Sequence, residues 1–234
     1  MMWALLGPGM AVAAPMSTCL APCGELLVNG GLDDAFVVGL GGRKGLSVGP
    51  HAATVSVLAE VPWADLDLAD HRLTGDLILP LVEGERWMLA GRTAVLWRRL
   101  DTHMNTMGNV GLAGGVLGGW TAQRGWLAGE LGLDHAAATR IVHKAAYREL
   151  VYADAVDGWY RNTGTTLDLG LRAGLRVRRA ELGLRVGQTR SLQLQTQTLT
   201  QTQTVPFYAS LGVAWQPRRF GASAANSDDD THRL

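Results

Sequence analysis

Lysine is nearly missing from this chain: Lys44 and Lys144 are the only two among 21 Lys and Arg, and charged residues of all kinds make up 18% of 234. A soluble domain carries about 25% charge, so something other than water is expected against much of the surface. Net charge is missing too, because 21 Asp and Glu cancel the cations. No global basic field exists, and nucleic acid is excluded as a partner held by charge. Cysteine is confined to Cys19 and Cys23. With no further ligands nearby they do not make a metal site, but in an oxidising compartment they could close a small disulfide loop. No G-x-S-x-G, H-E-x-x-H or phosphate-binding loop occurs, and no cofactor is expected.

The amino end also lacks charge, from Met1 to Gly24. Trp3 to Ala14 reads as an apolar core followed by small residues, with Ala11, Val12 and Ala13 resembling an A-x-A cleavage site, so 1–14 is expected to be an export signal. It departs from the usual form in having no Lys or Arg ahead of the apolar stretch and in Pro15 beside the cut. A membrane anchor is disfavoured, since Gly7, Pro8, Gly9 and Pro15 interrupt a run that would need about 20 apolar residues. Met16, Ser17 and Thr18 are a poor match to the box that would make Cys19 a lipidated first residue.

What is present is a period of two. Apolar or small residues alternate with polar ones through eight runs, 53–63, 73–81, 87–97, 110–120, 127–133, 167–177, 180–186 and 205–215. This is the strand signal, and each run approaches the length of a tilted membrane strand, about 9–11 residues. One face of these runs bears no charge. The other bears Glu60, Arg72, Asp76, Arg86, Arg92, Arg98, Glu130, Asp134, Asp168, Arg172, Arg176, Glu181 and Arg185.

Alternation alone does not say which face is inside, and a soluble lipocalin-like barrel with its apolar face inward is the competing arrangement. Three features favour lipid on the apolar face. Trp63, Trp87, Trp97, Trp120 and Trp215 sit at the ends of that face, as in the aromatic girdles of membrane barrels. Trp87 and Trp97 are ten residues apart, which projects to about 25 Å along the membrane normal. The charged face is otherwise small, with Gly111, Gly115, Gly119, Gly132, Gly170, Gly174, Gly183 and Gly187, as a narrow lumen requires. Short links alternate with long ones, the asymmetry of periplasmic turns and external loops. Met104 to Gln123 offers a helical competitor through its G-x-x-x-G spacings, but Asn105, Asn109 and Gln123 dilute it and no second apolar stretch could partner it.

On these residues the pattern resembles the small eight-stranded outer-membrane barrels of Gram-negative bacteria, of the outer-membrane protein A and X kind, over roughly 53–215. The last strand, with Phe207, Leu211, Val213 and Trp215, looks like the terminal assembly signal of that class. It departs by continuing through Arg218, Arg219 and Phe220 into a polar tail. The resemblance implies an outer-membrane location, surrounding lipid and lipopolysaccharide, and handling by the barrel-assembly machinery. The expected organisation is an all-β fold: an eight-stranded antiparallel transmembrane barrel over 51–216 with a short helix in one external loop, a periplasmic segment over 15–50, and a polar tail over 217–234. The 15–50 segment is the poorest fit. It could be a hairpin, a plug or extra strands, and an extra pair would raise the count to ten.

Inside the cylinder seven arginines face six acids. Buried charges must be paired, which favours a closed, salt-bridged lumen built on Glu60, Asp76, Arg92, Glu130, Asp168, Arg172, Arg176, Glu181 and Arg185. A small-solute channel lined by the same residues is the alternative. In the longest loop, Ala136 to Ala155 has helical spacing, with Arg140, Lys144 and Arg148 available to lipopolysaccharide phosphates or an anionic partner. Gln193 to Thr204 alternates Gln and Thr and could form a protruding hairpin that recruits an extracellular protein by strand addition. His71, His103, His135 and His143 map to external loops near Asp70, Asp101 and Asp134, so a rim hydrolase is a third reading.

Overall fold

The structure, a computed structural model, describes residues 24–32, 36–48, 51–63, 68–192 and 207–216. The expected export signal, the Cys19 and Cys23 pair, the Gln/Thr run at 193–204 and the tail at 217–234 lie outside the described residues. Ten strands are seen: β1 Gly24–Leu32, β2 Phe36–Val48, β3 His51–Pro62, β4 His71–Glu83, β5 Trp87–Asp101, β6 Asn105–Thr121, β7 Gly125–His143, β8 Gly158–Val177, β9 Ala180–Ser191 and β10 Phe207–Trp215. One helix, α1 Ala145–Leu150, lies between β7 and β8. Every strand pairs antiparallel with its chain neighbour, and β1 pairs with β10 to close the barrel.

The count of eight is therefore corrected to ten. Each of the eight alternating runs falls on a strand over its described residues, and the additional pair is β1 and β2, which places 24–32 and 36–48 in the barrel wall rather than in a periplasmic segment. The pair was hidden because its inward positions are mostly small or apolar: Leu27 is buried in β1, and Gly39 and Gly45 are buried in β2. Gly41 is there for space: a Cβ on it would meet the backbone Cα of Leu58 at 3.0 Å.

Following paired residues around the wall gives the stagger of the barrel. From Ala138 on β7 the row runs through Val110, Trp97, Leu73, Ala59, Leu40, Val28, Val213, Leu182 and Leu175 and returns to β7 at Gly125. The return is displaced by 138 − 125 = 13 residues along β7, one of them the bulge between Ala136 and Ala138. A closed sheet with such stagger has its strands tilted by about 35–45°.

The second correction concerns the alanine-rich loop. The strand β7 runs on to His143, and only six residues form α1. Between 138 and 141 the backbone is paired on both sides, Ala138 with Val110 and Arg161, and Arg140 with Gly108 and Trp159, and Val142 and His143 pair on with β6. Two complete ladders outweigh the helical preference of alanine, because short helices are marginal on their own. The strands β7 and β8, 19 and 20 residues long, form the barrel's longest hairpin.

Candidate functional site

The exterior is apolar and the interior charged. With about 3.3 Å per residue, about 4.8 Å between strands and a tilt near 40°, the outward Phe36, Trp63, Trp97 and Phe207 fall within about 5 Å of one level. Trp87, Trp120 and Trp215 fall about 20–25 Å below it, on the side of the short turns. All seven are exposed aromatic side chains, and Trp87 and Trp120 are direct cross-strand partners. Between the two levels the one charged residue on the outward face, among the described residues, is Lys44 on β2, about 5 Å above the Trp87 level. A shallow groove of about 640 Å³ crosses this face, with the paired Gly118 and Gly129 as its floor and Leu89, Leu131, Leu171 and Val186 along its walls.

The lumen centres on Glu130. Its carboxylate accepts from Arg172 Nε at 2.8 Å and Nη2 at 2.5 Å, and from Arg185 Nε at 2.8 Å. A third guanidinium, Arg92 Nη1, reaches it at 3.5 Å while Arg92 Nε donates to both oxygens of Asp76 at 3.0 and 3.1 Å. Asp168 lies 4.0 Å from Arg185 Nη2 and accepts from Thr189 at 3.1 Å. Three arginines thus meet three acids, all buried. Such a network offsets its desolvation only when complete, and removing one member leaves an uncompensated charge. Toward the long loops, Glu60 accepts from Asn29 at 2.9 Å and from Arg72 at 2.7 Å, and Arg98 bonds Asp134. At the short-turn end Glu181 accepts from Trp126 Nε1 at 2.7 Å and faces the half-exposed Arg176 at 3.6 Å.

The nine residues expected inside thus divide among the central six, Glu60 with Arg72, and Glu181 with Arg176. Two features went unseen in the sequence. Arg43 bonds Glu25 across the β1–β2 pair, in a segment without visible alternation. Apolar side chains also enter the lumen: Ile78, Met88, Ala90, Leu117, Trp126 and Ala128 form one buried cluster, and Leu27, Leu58 and Ala214 another. Met88, Leu117 and Trp126 lie close to the short turns at 84–86 and 122–124, so the first cluster sits toward that end. Arg86, expected on the lumen face, is exposed in a turn.

Inward glycines make room for inward aromatics. Gly170 and Gly187 are direct partners, and a Cβ on either would overlap the phenol of Tyr208. The same ring lies 4.3 Å from the Arg185 guanidinium, a cation–π contact that ties the aromatic to the charge network. Gly174 is likewise covered by the indole of Trp126.

At the long-loop rim the expected cations separate. Lys144 Nζ bonds Asp101 at 2.9 Å, and Arg148 Nη2 bonds Asp157 at 2.8 Å. Arg140 is on β7, outward and exposed. Asp157 also accepts from the backbone N–H of His143 at 2.7 Å and contacts its Nδ1 at 3.0 Å. The His143 backbone hydrogen bond, followed by Arg148, holds the Asp157 carboxyl at about 2. His71 Nδ1 contacts Leu68 O and His135 Nδ1 contacts Thr165 Oγ1, each at 2.9 Å. The rim histidines are therefore spread over separate partners rather than gathered into one catalytic arrangement.

No protein-family profile matches the chain, and no curated protein is similar to it. Among solved structures it is similar to the translocator domain of autotransporter NalP from Neisseria meningitidis, at 14% identity and a TM-score of 0.35, over 83% of this chain and 87% of that one. At that distance the likeness implies nothing about activity.

Proposed function

We propose that the chain is an integral outer-membrane barrel, closed by its own salt bridges, that acts at the cell surface as a structural or interaction protein. The observation that carries this reading is the inverted polarity of the wall: an outward apolar band between two aromatic levels, with Lys44 at its lower edge as the one charge among the described residues, around an interior of paired Arg, Asp and Glu. Apolar outward residues suit acyl chains, and aromatic residues at both edges suit the two interfaces. The surroundings are then outer-membrane lipid and lipopolysaccharide, and the aromatic end of β10 is the segment that the barrel-assembly machinery would take.

Two observations favour a closed lumen over a solute channel, namely the three guanidiniums gathered on Glu130 and the apolar cluster near the short turns. For an interaction role the support lies at the tip of the β7–β8 hairpin, where Leu150, Val156 and Trp159 are 72%, 72% and 59% exposed. Apolar side chains grouped in water mark contact surfaces, here for an extracellular protein. Single-channel recording in planar bilayers tests the closed lumen. The expected trace shows no steady openings, and stable openings of appreciable size would overturn it in favour of a channel.

A further inference from the structure

Every arginine in the lumen has a carboxylate partner, whereas Arg99, Arg140, Arg161 and Arg190 make no ion pair among the described residues. These four are exposed and outward, on β5, β7, β8 and β9. From the tilt and the pairing register they lie about 2–11 Å beyond the Trp97 level, on the side of the long loops. Their arrangement is most pointed at β6. Arg99 pairs with Gly108, and Gly108 pairs with Arg140, so two arginines on one face stand two strand spacings apart, about 10 Å, with no side chain between them. The floor of the gap is aromatic, since a Cβ on Gly108 would touch Trp97 Cη2 at 3.4 Å. The acid nearest in sequence, Asp101, is one pleat farther out; its charge acts on Arg99 at a distance, while its hydrogen bonds go to Lys144 and Thr106. Asp157 is likewise held by Arg148 and His143.

A row of guanidiniums with no ion-pair partner among the described residues, directly outside an aromatic girdle, faces the layer where lipid headgroups carry phosphate. Arginine binds phosphate through its planar fork of N–H donors, with charge-assisted hydrogen bonds. We propose that Arg99 and Arg140, flanking Gly108 above Trp97, form a notch for the phosphate of a lipid headgroup in the leaflet that meets the long loops, with Arg161 and Arg190 extending the contact along the rim. This rests on the membrane reading above. It also replaces the helix-borne anion site expected from sequence, because Lys144 and Arg148 are engaged elsewhere and Arg140 is on a strand.

The test uses the full chain inserted into phosphatidylcholine vesicles containing a minor fraction of phosphatidic acid, then extracted for native mass spectrometry of retained lipid. Wild type is expected to retain phosphatidic acid, and the R99A/R140A double variant to retain about thirtyfold less, from the loss of two interfacial cations. R148A, whose guanidinium is held by Asp157, is expected to match wild type. Equal retention by the double variant, while it still migrates as a folded barrel in unheated detergent gels, would overturn the notch and leave the membrane reading intact. Displacement of the lipid by an equal concentration of inorganic phosphate would assign the site to soluble phosphate and overturn the lipid proposal. Failure of wild type to enter the vesicles would overturn both readings.

Discussion

Single glycines in this wall fall into two chemical classes. A Cβ at Gly187 would overlap Tyr208, whereas a Cβ at Gly118, on the outward face, would meet Leu89 Cδ1 at an ordinary 3.7 Å. Gly187→Ala is therefore expected to cost about 1–3 kcal/mol through overpacking, and Gly118→Ala close to nothing. Denaturant unfolding of both variants in the same lipid checks the contrast. Glu130 is the residue on which the lumen depends most, because Arg92, Arg172 and Arg185 share it. Glu130→Gln leaves three guanidiniums against two carboxylates, and a loss of about 3 kcal/mol or more is expected from the same unfolding measurement. The residues of this network were legible in the sequence because each is a charge on a face that alternates with leucine and valine. The aromatics that pack among them share that face by the same alternation, Tyr208 beside Phe207 and Trp126 beside Leu127; what the pattern leaves out is which glycines across the lumen they fill, since Gly170, Gly174 and Gly187 lie on other strands.

At the scale of elements, eight strands were legible for the same reason and two were not. In β3, β4, β5, β7, β8 and β9 a charged lumen face contrasts with an apolar outer one, and in β6 and β10 small and polar residues alternate with apolar ones. In β1 and β2 the inward Leu27, Gly39 and Gly45 have no such contrast, and the barrel gains its extra hairpin from residues that look like a glycine-rich leader segment. The alanine-rich stretch misled in the opposite sense, because cross-strand partners that stabilise 138–143 lie 28 to 38 residues away along the chain in β6, out of range of any local preference. The connection after β7 is tied down by Asp157, which bonds the His143 backbone and Arg148. Its pKa is held at about 2, below the unfolded value of about 3.9. A depressed carboxylate adds order that is full above the unfolded value and disappears as pH falls through the folded one. The 144–157 connection is thus expected to keep its structure down to about pH 4 and loosen between about pH 4 and 2. Amide exchange of residues 143–157 against pH measures this, and Asp157→Asn should remove the dependence.

For the whole molecule the argument reduces to which side of the cylinder meets lipid. Residue composition, aromatic levels and lumen pairing agree, since each places greasy surface outside and ions within. The most direct measurement is tryptophan quenching by lipids with brominated acyl chains, using variants that retain one tryptophan. A chain retaining only Trp97 or only Trp87, which face outward, is predicted to be strongly quenched, and one retaining only Trp126, which faces the lumen, to be quenched little. Quenching of Trp126 with Trp97 and Trp87 unaffected, or a protein that stays dispersed in buffer and shows no quenching at all, would contradict the account.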